Sequence, residues 1–212
     1  MLIRDDVAEF LRAWHGPSAR EPVQASTAGP LALREWWAYE NAWDTPLIRQ
    51  NRVLPPSDIY QEAGLTVFYV ENQAVWLWAH GDGSDPPVYA RENESGSQWE
   101  PVGERLSKFL HHMAVFEAVL GEFTLAANDV GGNVAAAVQS TLAPSPFIDW
   151  CWPGPRSNVR EGEGCLVFTC VNERPGSDVD EDSPWVLYVA GRTAHALSLF
   201  DTFGIAWDYD SR

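Results

Sequence analysis

The chain of 212 residues has a single lysine, two methionines, three cysteines and no uninterrupted apolar run of eighteen or more. Without a long apolar run no membrane-spanning helix is expected. The start, Met1-Leu-Ile-Arg-Asp-Asp6, has neither the charged region nor the apolar stretch of a secretory signal, so the expected place is the cytoplasm. Cys151, Cys165 and Cys170 are odd in number and lack tight pair spacing. That argues against a disulfide framework and reads as buried small hydrophobes in a reducing compartment. Basic side chains number 14 against 30 acids, for a net charge of −16, which repels phosphate backbones, so no direct nucleic-acid binding is expected.

Chemistry-bearing motifs are missing too. There is no Gly-rich phosphate loop followed by Lys-Ser/Thr, no His-Glu-x-x-His and no Gly-x-Ser-x-Gly. His111 and His112 are adjacent on a helical stretch, so they diverge and cannot chelate one ion as an i, i+4 pair does, and His112 reads as a polar-face residue. Asp178-Val-Asp-Glu-Asp182 begins like a calcium loop, yet Ser183 and Val189 stand where such a loop needs Gly and Glu. Cys165 or Cys170 with His195 and Asp201 is the sole sketch of a nucleophile and base. No catalytic residue, metal or cofactor is expected, and the chain reads as a non-enzyme.

What is there is concentrated between Leu65 and Leu120. Leu65-Thr-Val-Phe-Tyr-Val70 and Ala74-Val-Trp-Leu-Trp-Ala79 are rich in β-branched and aromatic residues and flank Glu71-Asn72-Gln73, which reads as a hairpin with a longer or bulged connection. Gly81-Asp-Gly83 and Asp85-Pro-Pro87 close its second arm, and Pro87–Ala90 returns as a third strand. Arg91–Gln98 is a solvated turn before Trp99. A helix begins at Ser107, with an apolar stripe through Phe109, Leu110, Met113, Val115, Phe116 and Leu120.

Elsewhere, Asp5 or Asp6 caps a short helix through Trp14, ended by Gly16-Pro17, and Leu31–Trp43 reads as a second helix. Asn133–Leu142 is helical up to Pro144. Phe147–Trp152, Cys165–Val171 and Trp185–Val189 are strand candidates. The order of elements is α+β: a central, mostly antiparallel mixed sheet with N-terminal and central helices packed on it. A single domain over residues 1–212 is expected, with the tail 121–212 extending that sheet, because an apolar strand such as Leu166–Cys170 needs a covered edge.

Leu33-Arg-Glu-Trp-Trp37 after Pro30-Leu31, Val67-Phe-Tyr-Val-Glu-Asn-Gln-Ala-Val-Trp-Leu-Trp78, Asp85-Pro-Pro-Val-Tyr89, Trp99, and Leu106-Ser-Lys-Phe-Leu110 follow in an order that resembles the SMI1/KNR4 family, or SUKH superfamily, over about residues 30–120. Asn41-Ala42 departs from the Asn-Gly that many relatives carry after the early helix, and the tail exceeds a minimal domain. The resemblance implies a non-catalytic binding module. Bacterial members look like immunity proteins that neutralise toxins, many of them nucleases, and fungal ones like regulators of cell-wall synthesis. Thirteen arginines against one lysine suggest a GC-rich bacterial genome, which favours the immunity branch.

The expected partner is therefore a cognate toxin, basic in character and occluded by an acidic face bordered with aromatics. The contact residues expected are Asp82, Asp85, Glu92 and Glu94 around the central strands and Asp178, Asp180, Glu181 and Asp182 in the tail, with Tyr89 and Trp99 as anchors. Core packing is the competing reading for every tryptophan, and a solvated, solubilising face for the acids. The alternative function is a carbohydrate- or cell-wall-linked scaffold, with Trp150-Cys-Trp152 as a stacking platform if that segment is a strand.

Overall fold

Asp6 and Gly16 bracket the first helix in the computed structural model, which describes residues 3, 6–24, 27–121, 123–150, 152–172 and 183–212, Phe123 by its backbone alone. The described chain divides into two compact units, Asp6–Glu117 and Ala118–Arg212, with Ile3 belonging to the second.

In the first unit, α1 (Val7–His15) starts where the Asp6 carboxylate accepts from the Glu9 N–H at 3.1 Å. It stops at Gly16, whose φ of +85° suits a residue without Cβ. α2 (Leu31–Ala42) follows, with Pro30 at its N-cap. Then come β1 (Arg52–Val53), β2 (Tyr60–Glu62), β3 (Leu65–Val70), β4 (Trp76–His80), β5 (Pro87–Glu92), β6 (Glu100–Arg105) and α3 (Leu106–Val119). The strands form one antiparallel sheet in the order β1-β3-β4-β5-β6, with β2 beside β1 on the same edge of β3.

The β3–β4 hairpin is built as its composition anticipates. Glu71, itself buried, folds back to accept from the N–H groups of Gln73 (2.8 Å) and Val75 (3.3 Å), and Ala74 takes φ +59°. A bulge at Phe68 lets two successive rings, Phe68 and Tyr69, both be buried. Phe109 of α3 packs edge-on to both at 5.7 and 5.9 Å and lies 6.3 Å from Trp78. α3 is buried nearly all round, including His111, His112 and Glu117. His112 is thus an interior residue, facing the buried Glu104 carboxylate at 3.3 Å, and not the polar-face residue its position suggests. Glu117 lies among backbone donors. Its Oε2 accepts from the N–H groups of Arg49 and Gln50 at 2.7 Å each, and its Oε1 accepts from Asn51 N–H at 3.1 Å and the Tyr69 hydroxyl at 2.8 Å.

The second unit contains β7 (Phe123–Val130), α4 (Gly132–Ser140), β8 (Ala143–Pro144), β9 (Asn158–Gly162), β10 (Cys165–Val171), β11 (Trp185–Gly191), a 3-10 helix (Ala194–Phe203) and β12 (Tyr209–Asp210). Its strands do not extend the first sheet. They make a second antiparallel sheet, ordered β12-β7-β11-β10-β9-β8, which supplies the covered edges that β10 requires. β10 is buried at all seven positions and pairs along its full length with β11. Leu125, Ala127, Val167, Leu187 and Val189 share a core with Ala135 and Val138 of α4 and with Leu197 and Phe200. Among the described residues of Phe147–Trp152 there is no strand: a lone bridge joins Trp150 to Ser157. The α+β class stands, with all described pairings antiparallel, and no described helix is long and apolar enough to cross a membrane.

Candidate functional site

The acidic and aromatic residues expected to meet a partner separate into two groups along β5. Asp82 and Asp85 lie in the β4–β5 turn, before the strand begins, whereas Glu92 ends it and Glu94 lies in the loop beyond. Six extended residues hold the two groups roughly 17 Å apart. They do not make a single acidic spot.

Asp85 is committed to the fold. Its Oδ1 accepts from the Ser107 N–H at 2.9 Å and its Oδ2 from the Ser107 hydroxyl at 2.8 Å, so it caps α3 from a distant turn. Tyr89 is half-buried, paired across the sheet with Ala79 and Pro101. Trp99 is half-buried as well. It packs against the cluster of Leu54, Val67, Val70, Leu77 and Ala79, and the Arg91 guanidinium lies 4.9 Å from its ring centroid. Asp178, Asp180, Glu181 and Asp182 lie outside the described residues.

Glu92, Glu94 and Glu100 remain as exposed carboxylates around the β5–β6 loop. The cation nearest in sequence, Arg91, is already engaged: its Nη2 donates to Glu62 at 2.6 Å and its Nη1 to the Glu92 carbonyl at 2.6 Å. Among the described residues none of the three carboxylates has an ion-pair partner. Exposed Tyr60, on β2, adds an aromatic with 43% of its surface accessible. Glu100 and Tyr60 were not among the expected contacts, because Glu100 belongs to a strand with no strand-like composition and Tyr60 to a three-residue strand.

A cleft of about 420 Å³ opens at the other end of the same unit, between the start of α2 (Gly29–Leu31 and Arg34) and the turn His80–Ser84. His80 is 6% exposed, and its Nδ1 is 2.7 Å from the Gly81 carbonyl. A carbonyl accepts only, so Nδ1 carries the proton and Nε2 is an acceptor. Burial lowers the pKa of the ring, against the opposing pull of that hydrogen bond and of Asp82.

The second unit has a cleft of about 680 Å³ lined by Glu163, Arg192, His195 and Ser198, among others. The nucleophile sketch gains nothing from it. His195 is exposed on this rim, while burial pushes the Cys165 thiol up to about 11 and the Cys170 thiol up to about 12, where neither supplies thiolate at neutral pH. Trp150 is 6% exposed and so offers no open stacking face, and Cys151 lies outside the described residues. Among the described residues no three His, Cys, Asp or Glu side chains come together as a metal site. Comparison of the chain with protein-family models, with curated proteins and with solved structures yields no significant match.

Proposed function

We propose that this chain is a binding protein of SMI1/KNR4 type, an immunity protein that neutralises a basic toxin by laying an acidic surface over it. The observation that carries the reading is the set of exposed carboxylates Glu92, Glu94 and Glu100 around the β5–β6 loop, none with an ion-pair partner among the described residues. Carboxylates left without an internal cation by a chain of net charge −16 keep their field for a partner. The exposed ring of Tyr60, on the same sheet, offers apolar contact that charge alone lacks. Such a surface raises the association rate with a basic protein and excludes acidic competitors. Its centre is the β5–β6 loop; Asp85, as a helix cap, contributes only through its charge.

The test uses the purified chain and the product of the adjacent gene. A complex is expected at micromolar concentration, weakening as salt rises from low to physiological. Glu92→Gln with Glu94→Gln is expected to slow association about tenfold with a smaller effect on dissociation. Absence of a complex at low salt, or one indifferent to salt and to both substitutions, refutes the proposal.

A further inference from the structure

The cleft at the start of α2 collects polar groups that the first unit leaves unused. No side chain caps the first-turn amides of α2, since Pro30 holds the N-cap position. Uncapped amides at a helix N-terminus attract negative charge. Arg34, one turn in, lines the same cleft, and its buried Nε has no hydrogen-bond partner. Among the described residues no carboxylate pairs with its guanidinium, in a chain with 30 acids. His80, more than nine-tenths buried, lines the cleft from the opposite strand, and its Nε2 also lacks a partner. An unmade hydrogen bond at a buried polar atom is costly, so two such atoms beside an uncapped helix start around one opening point to a ligand that satisfies them.

The ligand's chemistry follows from the groups. Amides and a guanidinium call for an oxyanion, and a fork of N–H donors matches the two oxygens of a carboxylate. The Nε2 acceptor calls for a donor on the ligand. Asp82, exposed on the rim, repels a dianion twice as strongly as a monoanion. The volume of about 420 Å³ is that of a small-molecule pocket. We infer that the cleft binds a small monocarboxylate with a hydrogen-bond donor beside its carboxylate, an α-hydroxy or α-amido acid. The α2 amides and Arg34 hold the carboxylate, and His80 Nε2 accepts from the donor. A free acid and the C-terminus of a peptide share this chemistry.

The experiment is an amide NMR titration of the full chain with N-acetylglycine, its carboxamide N-acetylglycinamide, acetate and inorganic phosphate, followed by a peptide with a free or amidated C-terminus. N-acetylglycine is expected to shift the amides of Leu31–Arg34 and His80–Ser84 with millimolar affinity. The carboxamide is expected to bind about tenfold more weakly, and acetate and phosphate also more weakly. Arg34→Gln is expected to weaken N-acetylglycine about tenfold, and Asp82→Asn, at an exposed position, to tighten it. If the free-ended peptide binds as N-acetylglycine does, the source is a chain terminus; if it does not bind, the source is a free acid. No shift at these amides up to about 50 mM ligand, equal binding of acid and carboxamide, tighter binding of phosphate, or weakening by Asp82→Asn overturns the inference. The cleft lies at the other end of the sheet from Glu92 and Glu94 and is read by a separate titration, so this site and the proposed immunity function fail independently.

Discussion

Replacing Glu117 by Gln exchanges a single oxygen for an NH2 group and is expected to disrupt the first unit more than truncation of most exposed side chains. The carboxylate has four donors, three of them backbone N–H groups of Arg49, Gln50 and Asn51, and the fourth the Tyr69 hydroxyl. A Gln amide keeps one acceptor oxygen. With its nitrogen in place of Oε2, it faces two N–H groups with a third donor. With its nitrogen in place of Oε1, it loses the Asn51 bond and forces the Tyr69 hydroxyl to turn. Asn51 Nδ2 already donates to that hydroxyl at 2.8 Å, which restricts the turn. Hydrogen bonds to a charged group contribute about 1.5–3 kcal/mol each, and part of the loss is offset because a buried charge is removed, so a cost of about 2–4 kcal/mol is expected. Glu117→Leu orphans all four donors and is expected to cost about 3–5 kcal/mol despite its apolar fit. Tyr69→Phe removes one donor, at about 1–3 kcal/mol, and its effect is expected to be non-additive with Glu117→Gln because both act on one network. Urea unfolding followed by tryptophan fluorescence reads the change: about 3 kcal/mol moves the midpoint about 1.5 M for a slope of about 2 kcal/mol/M. Hydrogen exchange adds a local readout, with protection lost first at Arg49, Gln50 and Asn51. A Glu117→Gln midpoint within about 0.2 M of the parent, with protection at those amides intact, refutes the reasoning.

Asp85→Ala is expected to cost about 1 kcal/mol through loss of the α3 cap, and Ser107→Ala to add little on top of it, as a double-mutant cycle in urea would show; full additivity would mean that the two do not act as a pair. Two buried groups set opposite pH slopes. Burial, aided by Arg49, lowers His15 to about 4, so its contribution is present above 6.5 and lost as pH falls through 4, whereas burial raises Glu40 to about 7, so its contribution is present below 4.5 and lost as pH rises through 7. The slopes oppose each other between 4.5 and 6.5, and Glu40→Gln is expected to uncover a stability that rises with pH there. Parallel pH–stability curves for the parent and Glu40→Gln would rule this out.

The candidate site was legible in part. Asp82, Glu92 and Glu94 follow from polar loops between apolar strands, and they are exposed. Asp85 looks the same in sequence, yet Ser107, twenty-two residues on, engages its carboxylate. Trp99 reads as an anchor and is half absorbed into a core by Arg91 and Leu54. Arg34 and His80 share a cleft although 46 positions separate them, and no local pattern marks a pairing between a helix start and a strand end.

By itself the sequence determined the parts whose cause is local. Asp6 and Gly16 bound α1, and β-branched and aromatic runs make β3, β4, β10 and β11. Gly and Pro place the turn before β5, and the apolar stripe of α3 marks a buried helix. These outcomes rest on propensity, capping and turn chemistry within a few residues. Tertiary structure alone decided β6, whose Glu100-Pro-Val-Gly-Glu-Arg105 has no strand-forming composition and is extended because β5 offers it hydrogen-bond partners. It also made Phe123–Val130 a strand, since Leu125 and Ala127 align opposite Val189 and Leu187. The split into two sheets belongs to the same class. β10 needs neighbours on both edges to satisfy its buried backbone, and which strands supply them depends on competition across the whole chain, which no short stretch of residues encodes.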